Sequence, residues 1–412
     1  MRDILAPESA RWRAFTAVFA DVVESAGYQL IIPPLMEDLG VFSRIGEATD
    51  VVTKEMYDFF DKGDRHVALR PEQTASVCRA FVQHRPVTPW KAWYSGPNFR
   101  YEKPQRGRYR QFDQVGIEVL GVNDAHLDVE VIALGSEFFR RLGLRQVELR
   151  INSLGEPADR ARYVDALRTH FEAGGEDLSA ASRDTLTKNP LRVLDSKRVS
   201  DAPYIATAPT IDQFWSDDAA AHFHTVQAGL SQLDISFVID MKLVRGLDYY
   251  RHTTFEFVGG TLESAQNALG GGGRYDGLVE DLGGPTTPGI GFALGVDRTL
   301  LACDDEGVFA APDPSVDVFV VDTAGGASAL AITAELRAAG ISADRSYDNR
   351  SMKAQMKGAN RSGAAFAVIV GTDEIDAGTV TLKPLRSGGE QSIVPMAHLV
   401  SDLRSRLQEA NS

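Results

Sequence analysis

The run from Lys91 to Leu120 constrains the fold more than any other part of the chain, because two alternating arms flank a break at Pro104 to Gly107. Alternation with a period of two makes each arm a strand with two faces. Two such strands around turn residues make a long antiparallel hairpin. On the second arm Val115, Ile117 and Val119 share one face, and Arg110, Phe112, Gln114, Gly116 and Glu118 share the other. A plain solvent-facing strand would carry Lys, Thr and Glu there. An aromatic ring among hydrogen-bonding groups describes the floor of a ligand site. Taken singly, each of these residues fits a solvated sheet with surface ion pairs; as a set they favour the ligand.

Charge sharpens that reading. Lys and Arg number 43 against 57 Asp and Glu, a net charge of -14, so the surface as a whole does not attract a polyanion. Yet Arg100, Lys103, Arg106, Arg108 and Arg110 face only Glu102 across the hairpin loop. Four of those five cations are arginines, whose planar fork suits bidentate phosphate binding. On the first arm Arg100 and Glu102 share a face.

Three further segments carry unusual residues. Arg245-Gly246 starts a strand-like stretch through Phe257, with Tyr249 and Tyr250 behind it. Gly270 to Gly273 with Arg274-Tyr275-Asp276-Gly277 lets backbone come near a substrate, but has neither the Lys-Ser/Thr ending nor the spacing of a phosphate loop. Gly289 to Arg298 reads as a strand turning into a helix, with Arg298 near the turn.

The rest sets the organisation. Trp12, Phe15, Phe19, Val22 and Val23 are spaced for a helix over Pro7 to Ala26, and Leu127, Val131, Leu134 and Phe138 for a second. Residues 156-235 are Ala- and Asp-rich and read as an inserted helical subdomain. Asp304 to Gly307, Pro312 and Pro314 read as a linker. Beyond it Val316 to Val321 and Ala365 to Val370 read as strands, and Ala329 to Ala339 and Val394 to Leu407 as helices, an α/β domain on a largely parallel sheet. Cys78 and Cys303 stand far apart with no metal-ligand spacing, which suits a reducing compartment. No run of 18 apolar residues occurs and no apolar signal core stands at the N-terminus, so the expectation is a cytoplasmic protein without a membrane partner.

At Phe99-Arg100-Tyr101-Glu102 with Arg108 to Phe112, and at Gly295-Val296-Asp297-Arg298, the chain resembles the class II aminoacyl-tRNA synthetases. Leu69-Arg70-Pro71-Glu72, Asn189 to Lys197 and Arg245 to Tyr250 are similar to the histidyl-tRNA synthetases within that class. The resemblance implies an α+β fold: an antiparallel-sheet catalytic domain in two parts, 1-155 and 236-310, a helical insertion at 156-235, and an anticodon-binding α/β domain at 316-412. It implies L-histidine, ATP with Mg2+, and tRNA(His) as ligands, a homodimer to which the helix from Trp12 to Val23 is a candidate contributor and equally a plain core helix, and no DNA.

Roles follow residue by residue from the resemblance. Arg100 and Arg245 would be catalytic, gripping the α-phosphate, with Arg245 also holding the histidine carboxylate. Phe112 and Arg298 would sandwich adenine, with Arg298 reaching the γ-phosphate, and Glu102 and Arg108 would contact the nucleotide. Glu72, Thr74 and Gln114 would hold the α-amino group, and Glu118 and Tyr250, with Tyr249 beside them, the imidazole. Gln105, Arg106, Lys353 and Lys357 would meet tRNA; Lys353 and Lys357 lie four apart, on one face if helical. The ligands of any metal stay unassigned. Gln73 stands where the family often has Gly, and Asp297 where it usually has Glu. A second reading, a catalytically inactive histidine-binding regulatory subunit of ATP phosphoribosyltransferase, implies loss of the anticodon domain and of phosphate-gripping arginines, and both are present here.

Overall fold

The computed structural model describes residues 1–44, 51–243, 249–262, 267–312, 315–348, 350–386 and 388–411. Arg245, on which the sequence reading relies, lies outside them. Two compact units emerge, one of Met1–Asp3 with Arg11–Ala310, the other of Ile4–Ala10 with Ala311–Ser412.

The larger unit is built on an eight-stranded sheet of the described residues. Its order is Gln29–Leu30, Trp90–Phe99, Gln111–Leu120, Gly289–Gly295, Ala268–Arg274, Arg251–Gly259, Val147–Ser153 and Val238–Ile239. Only the two edge strands pair in parallel; the six inner strands are antiparallel. The hairpin is as its alternation demands, with Gly96 opposite Gln114 and Trp93 opposite Ile117. Its break is wider than Pro104 to Gly107, because the strands stop at Phe99 and resume at Gln111. Arg110 therefore leaves the floor: its guanidinium covers the Tyr101 ring at 4.0 Å.

One face of this sheet is the core. Val115, Ile117 and Val119 meet Phe255, Phe257 and Phe292, and helices Glu8–Glu24, Ala125–Arg141 and Asp217–Gln232 cover them. Phe15 and Phe19 are fully buried against Phe138 at ring distances of 5.0 and 5.1 Å, so the first helix spends its apolar stripe inside this unit. That stripe belongs to the core rather than to an interface. Behind Glu8–Glu24, helix Val296–Glu306 absorbs Asp304, Asp305 and Glu306, which the sequence reading gave to a linker; it stops at Gly307, whose φ of +67° suits a left-handed cap.

Residues 157 to 214 form helices and short turns around their own apolar cluster of Tyr163, Leu167, Phe171, Leu191 and Ile211. The following helix, Asp217–Gln232, instead puts Phe223, Val226 and Leu230 into the main core. At its base Arg274 and Asp128, both with side chains fully buried, form an ion pair at 2.7 Å, and His222 reaches the same carboxylate at 2.8 Å.

The smaller unit has a five-stranded sheet ordered Ala343–Arg345, Val318–Asp322, Phe366–Val370, Thr379–Pro384, Ser392–Pro395. The first three strands are parallel and the last two antiparallel, so the sheet is mixed. Val394 lies in the last strand and pairs with Val380; the C-terminal helix starts only at Leu399.

Candidate active site

Opposite the core, the sheet floors a cavity of about 870 Å³. Small residues make that floor flat: Gly291, Ala293 and Gly295 on one strand and Ala268, Gly270 and Gly271 on the next. At Gly291 a Cβ would overlap the Glu118 carboxylate and the Ile117 carbonyl, so only glycine fits.

The hairpin supplies one wall. Arg100, Glu102, Arg108, Phe112 and Gln114 line the cavity, joined by Arg298 from the start of helix Val296–Glu306. Arg100 donates Nε to the Pro71 carbonyl at 2.9 Å and lies over Phe112 at 5.2 Å, which leaves its terminal nitrogens for a ligand. Arg298 is pinned by two of its nitrogens, Nε donating to the Gly107 carbonyl at 3.1 Å and Nη1 to the Ala268 carbonyl at 3.0 Å. Burial, and then Arg108 and Arg100 nearby, depress its affinity for a proton. Three guanidinium groups held this close repel one another unless an anion sits between them. Glu102 offsets part of the charge: it is ion-paired with Arg108 and held below the usual carboxylate range by that partner despite the opposing effect of burial. Asp113 and Asp297 also line the cavity, and burial, then Asp297, push the Asp113 carboxyl up to about 6.

The other wall comes from the start of helix Thr74–His84. Glu72 receives the Thr74 N–H at 2.7 Å and the Ala75 N–H at 2.9 Å, so its carboxylate caps that helix and aims the segment Glu72 to Thr74 at the cavity. Tyr249, Tyr250 and Tyr275 close this end, and Leu194 to Lys197 of the helical segment complete the rim.

The structure thus brings ten of the residues singled out from sequence to one cavity: Glu72, Thr74, Arg100, Glu102, Arg108, Phe112, Gln114, Tyr249, Tyr250 and Arg298. Glu118 departs from expectation. Alternation puts it on the correct face, but at 1% exposure it lies behind the wall, accepting from the hydroxyls of Thr74 at 2.7 Å, Tyr94 at 3.1 Å and Tyr275. Burial pushes its carboxyl up to about 8, against the opposing pull of those hydroxyls. Gln105 and Arg106 stay on the exposed loop, with Arg106 paired to Asp305 at 3.3 Å. Lys353 and Lys357 lie exposed on helix Met352–Arg361 of the smaller unit, on one side as their spacing requires.

Sequence reasoning missed Tyr94, Asn98 and Asp113 and gave Tyr275 no role. Tyr94 and Asn98 had a legible signal, since they alternate in phase with Ala92 and Gly96 on the arm opposite Phe112 and Gln114.

Residues 1–299 match the family model for histidyl-tRNA synthetase, and residues 316–406 the model for an anticodon-binding domain. The chain belongs to the histidyl-tRNA synthetase family. It is 44% identical over 418 residues to a histidine–tRNA ligase of Listeria innocua, covering 99% of this chain and 98% of the relative. It is 48% identical over 412 residues to that of Mycolicibacterium vanbaalenii, at 98% and 96% coverage. The crystal structure of the apo histidyl-tRNA synthetase of S. aureus superposes with a TM-score of 0.83 at 35% identity, over 98% of both chains. For a histidyl-tRNA synthetase family member, the division of the cavity into an arginine-rich half and a polar, tyrosine-closed half has an evident use. The regulatory-subunit alternative is the less supported one, since the anticodon-binding match spans nearly all of the smaller unit.

Among the described residues no group of three or more His, Cys, Asp or Glu gathers to hold a metal.

Proposed function

We propose that the chain is a histidine–tRNA ligase that joins L-histidine to ATP, giving histidyl-adenylate and pyrophosphate, and then passes the histidyl group to the terminal ribose of tRNA(His). One observation carries this reading: Arg100, Phe112 and Arg298 share a single cavity with Glu72, Thr74 and Gln114.

In the first step a histidine carboxylate oxygen attacks the α-phosphorus, the bond to the β-phosphate oxygen breaks, and pyrophosphate leaves. Adenine lies between Phe112 and Arg298, while Arg100 and Arg108 face the phosphates. The gain comes from alignment, and from donors already aimed at the oxygens that gather charge. Arg245 is assigned by resemblance to bridge the histidine carboxylate and the α-phosphate. In the second step the ribose hydroxyl attacks the acyl carbon, loses its proton and releases AMP. Tyr250, with Tyr249 beside it, is assigned by resemblance to the imidazole, and a polar site of this kind rejects apolar analogues whose binding would strand its buried groups.

Helix Met352–Arg361, with exposed Lys353, Lys357 and Arg361, is assigned to tRNA backbone contact, as are Gln105 and Arg106. The same reading assigns residues 316–412 to anticodon binding, the cluster within 157–214 to an inserted subdomain, and the protein to the cytoplasm as a homodimer; both cysteines are free and buried, in keeping with a reducing compartment. No helix among the described residues is long and apolar enough to cross a membrane.

Histidine-dependent exchange of labelled pyrophosphate into ATP tests the first step, and charging of tRNA(His) the second. Exchange that needs L-histidine and vanishes in Arg100→Ala is expected. Exchange equal with and without histidine, or none from the folded wild-type protein, refutes the reading.

A further inference from the structure

Two carboxylates stand where the hairpin meets helix Val296–Glu306. Gly295 pairs with Gln114 at the end of its strand, so the next residue along the hairpin, Asp113, comes beside the first helical turn, which carries Asp297. Each is the chain neighbour of a residue assigned to adenine: Asp113 follows Phe112, and Asp297 precedes Arg298. The spacing of the two carboxylates is therefore tied, through one peptide unit on each side, to the spacing of the ring and the guanidinium that hold the base.

Three charges face Asp113 and its neighbour. Burial, then Asp297, push the Asp113 carboxyl up to about 6, while Arg70 pulls it down. Arg70 does not prevail. Its nitrogens are held by the carbonyls of Pro33 at 2.7 Å and Pro97 at 2.9 Å, and its charge also serves Glu37 and Glu72. The third charge comes from 295 residues away: Arg2 places Nη2 3.2 Å from Asp297 Oδ1. Its guanidinium carbon lies 5.2 Å from the centre of the Tyr109 ring and 6.0 Å from that of Trp12. With the Arg2 side chain 38% exposed, a pair of this kind contributes little to folding. Asp297 is only 9% exposed, so on its side of the pair the charge is poorly screened and acts on what stands next to it.

We propose that Arg2 is a positioning residue for ATP: by neutralising Asp297 it lets Asp113 and Asp297 stand side by side, and so keeps Phe112 and Arg298 at the spacing that holds adenine. The inference rests on the ligase reading above. Arg2 is not among the residues that line the cavity, so its effect passes through Asp297.

The test is histidine-dependent pyrophosphate exchange by the full chain at pH about 5.5 and about 8, on either side of the Asp113 transition. Each variant is read as a ratio to wild type at the same pH, which cancels the titration of ATP and histidine themselves. Arg2→Met keeps the apolar stem over Trp12 and Tyr109 and removes the charge. At the higher pH, where Asp113 has lost its proton beside Asp297, it should raise the KM for ATP about 3- to 10-fold, with the KM for histidine and kcat within about twofold. At the lower pH the proton on Asp113 relieves the repulsion, and the ratio should fall below about twofold. Arg2→Lys keeps the charge and should stay within about twofold at both. In an Asp113→Asn background, Arg2→Met should change the KM for ATP by less than about twofold at the higher pH. A loss equal at both pH values, a loss shared by ATP and histidine, a loss as large in Arg2→Lys, or a full loss in the Asp113→Asn background overturns the proposal. A wild-type protein without histidine-dependent exchange sinks the ligase reading; an active wild type matched by Arg2→Met sinks only the role of Arg2.

Discussion

Replacing Glu118 by Gln isolates the cost of a buried carboxyl. The wild-type group is 1% exposed, and burial moves its pKa from 4.5 to about 8. Because the folded value is the higher one, the native state binds the proton more tightly than the unfolded chain does. Stability associated with the group is therefore complete below pH about 4.5 and is lost as pH rises toward 8. Between pH 5.5 and 8 a single group with these two values removes about 3 kcal/mol. Gln does not titrate, yet keeps an oxygen for the hydroxyls of Thr74, Tyr94 and Tyr275. All four tryptophans, Trp12, Trp90, Trp93 and Trp215, lie in the larger unit, so their fluorescence in urea titrations follows that unit alone. The expected result is that the stability difference between Glu118→Gln and wild type shifts by about 3 kcal/mol in favour of the variant from pH 5.5 to pH 8. Two stability curves that stay parallel across that interval would refute the argument, and with it the idea that Glu118 sits in a site that resists its ionisation.

Other outcomes follow from the same geometry. Arg298→Ala should lower histidine-dependent exchange by about 10²- to 10³-fold in kcat, as for removal of one preorganised donor, while the urea midpoint moves little; unchanged exchange would contradict its place at the nucleotide. Arg274→Met leaves the fully buried Asp128 with His222 as its remaining side-chain partner and should cost about 3–5 kcal/mol in tryptophan-detected unfolding; a cost below about 1 kcal/mol would mean the pair is dispensable. Lys353→Ala with Lys357→Ala should weaken tRNA binding and reduce its dependence on salt by about one unit of slope per lost phosphate contact, with exchange unaffected.

How much of this was legible beforehand depends on what kind of information each feature needs. The faces of Gln111–Leu120 could be read from alternation alone, because consecutive side chains on a strand point to opposite sides whatever surrounds it. The helix Glu8–Glu24 and its core-facing stripe were equally plain from its apolar spacing. The C-terminal helix was read as starting too early, at Val394, because Val394 begins a short apolar run that either structure accommodates; its pairing with Val380 puts it in the last strand. The limits of the hairpin break were missed for a similar reason, since arginines such as Arg110 are compatible with strand and loop alike.

What the sequence by itself determined is the list of chemical groups and the side of each element on which they stand: arginines about one end of a hairpin, polar groups along its floor, and glycines where the floor must be flat. What only the tertiary structure decided is which of those groups a ligand can touch. Gln114 and Glu118 are four residues apart on the same face, yet Gln114 lines the cavity and Glu118 is sealed by Thr74, 44 residues away, and by Tyr275, 157 residues away. The local pattern records direction, whereas coverage depends on elements remote in the chain. Desolvation, and with it the protonation of a carboxyl, is set by that coverage.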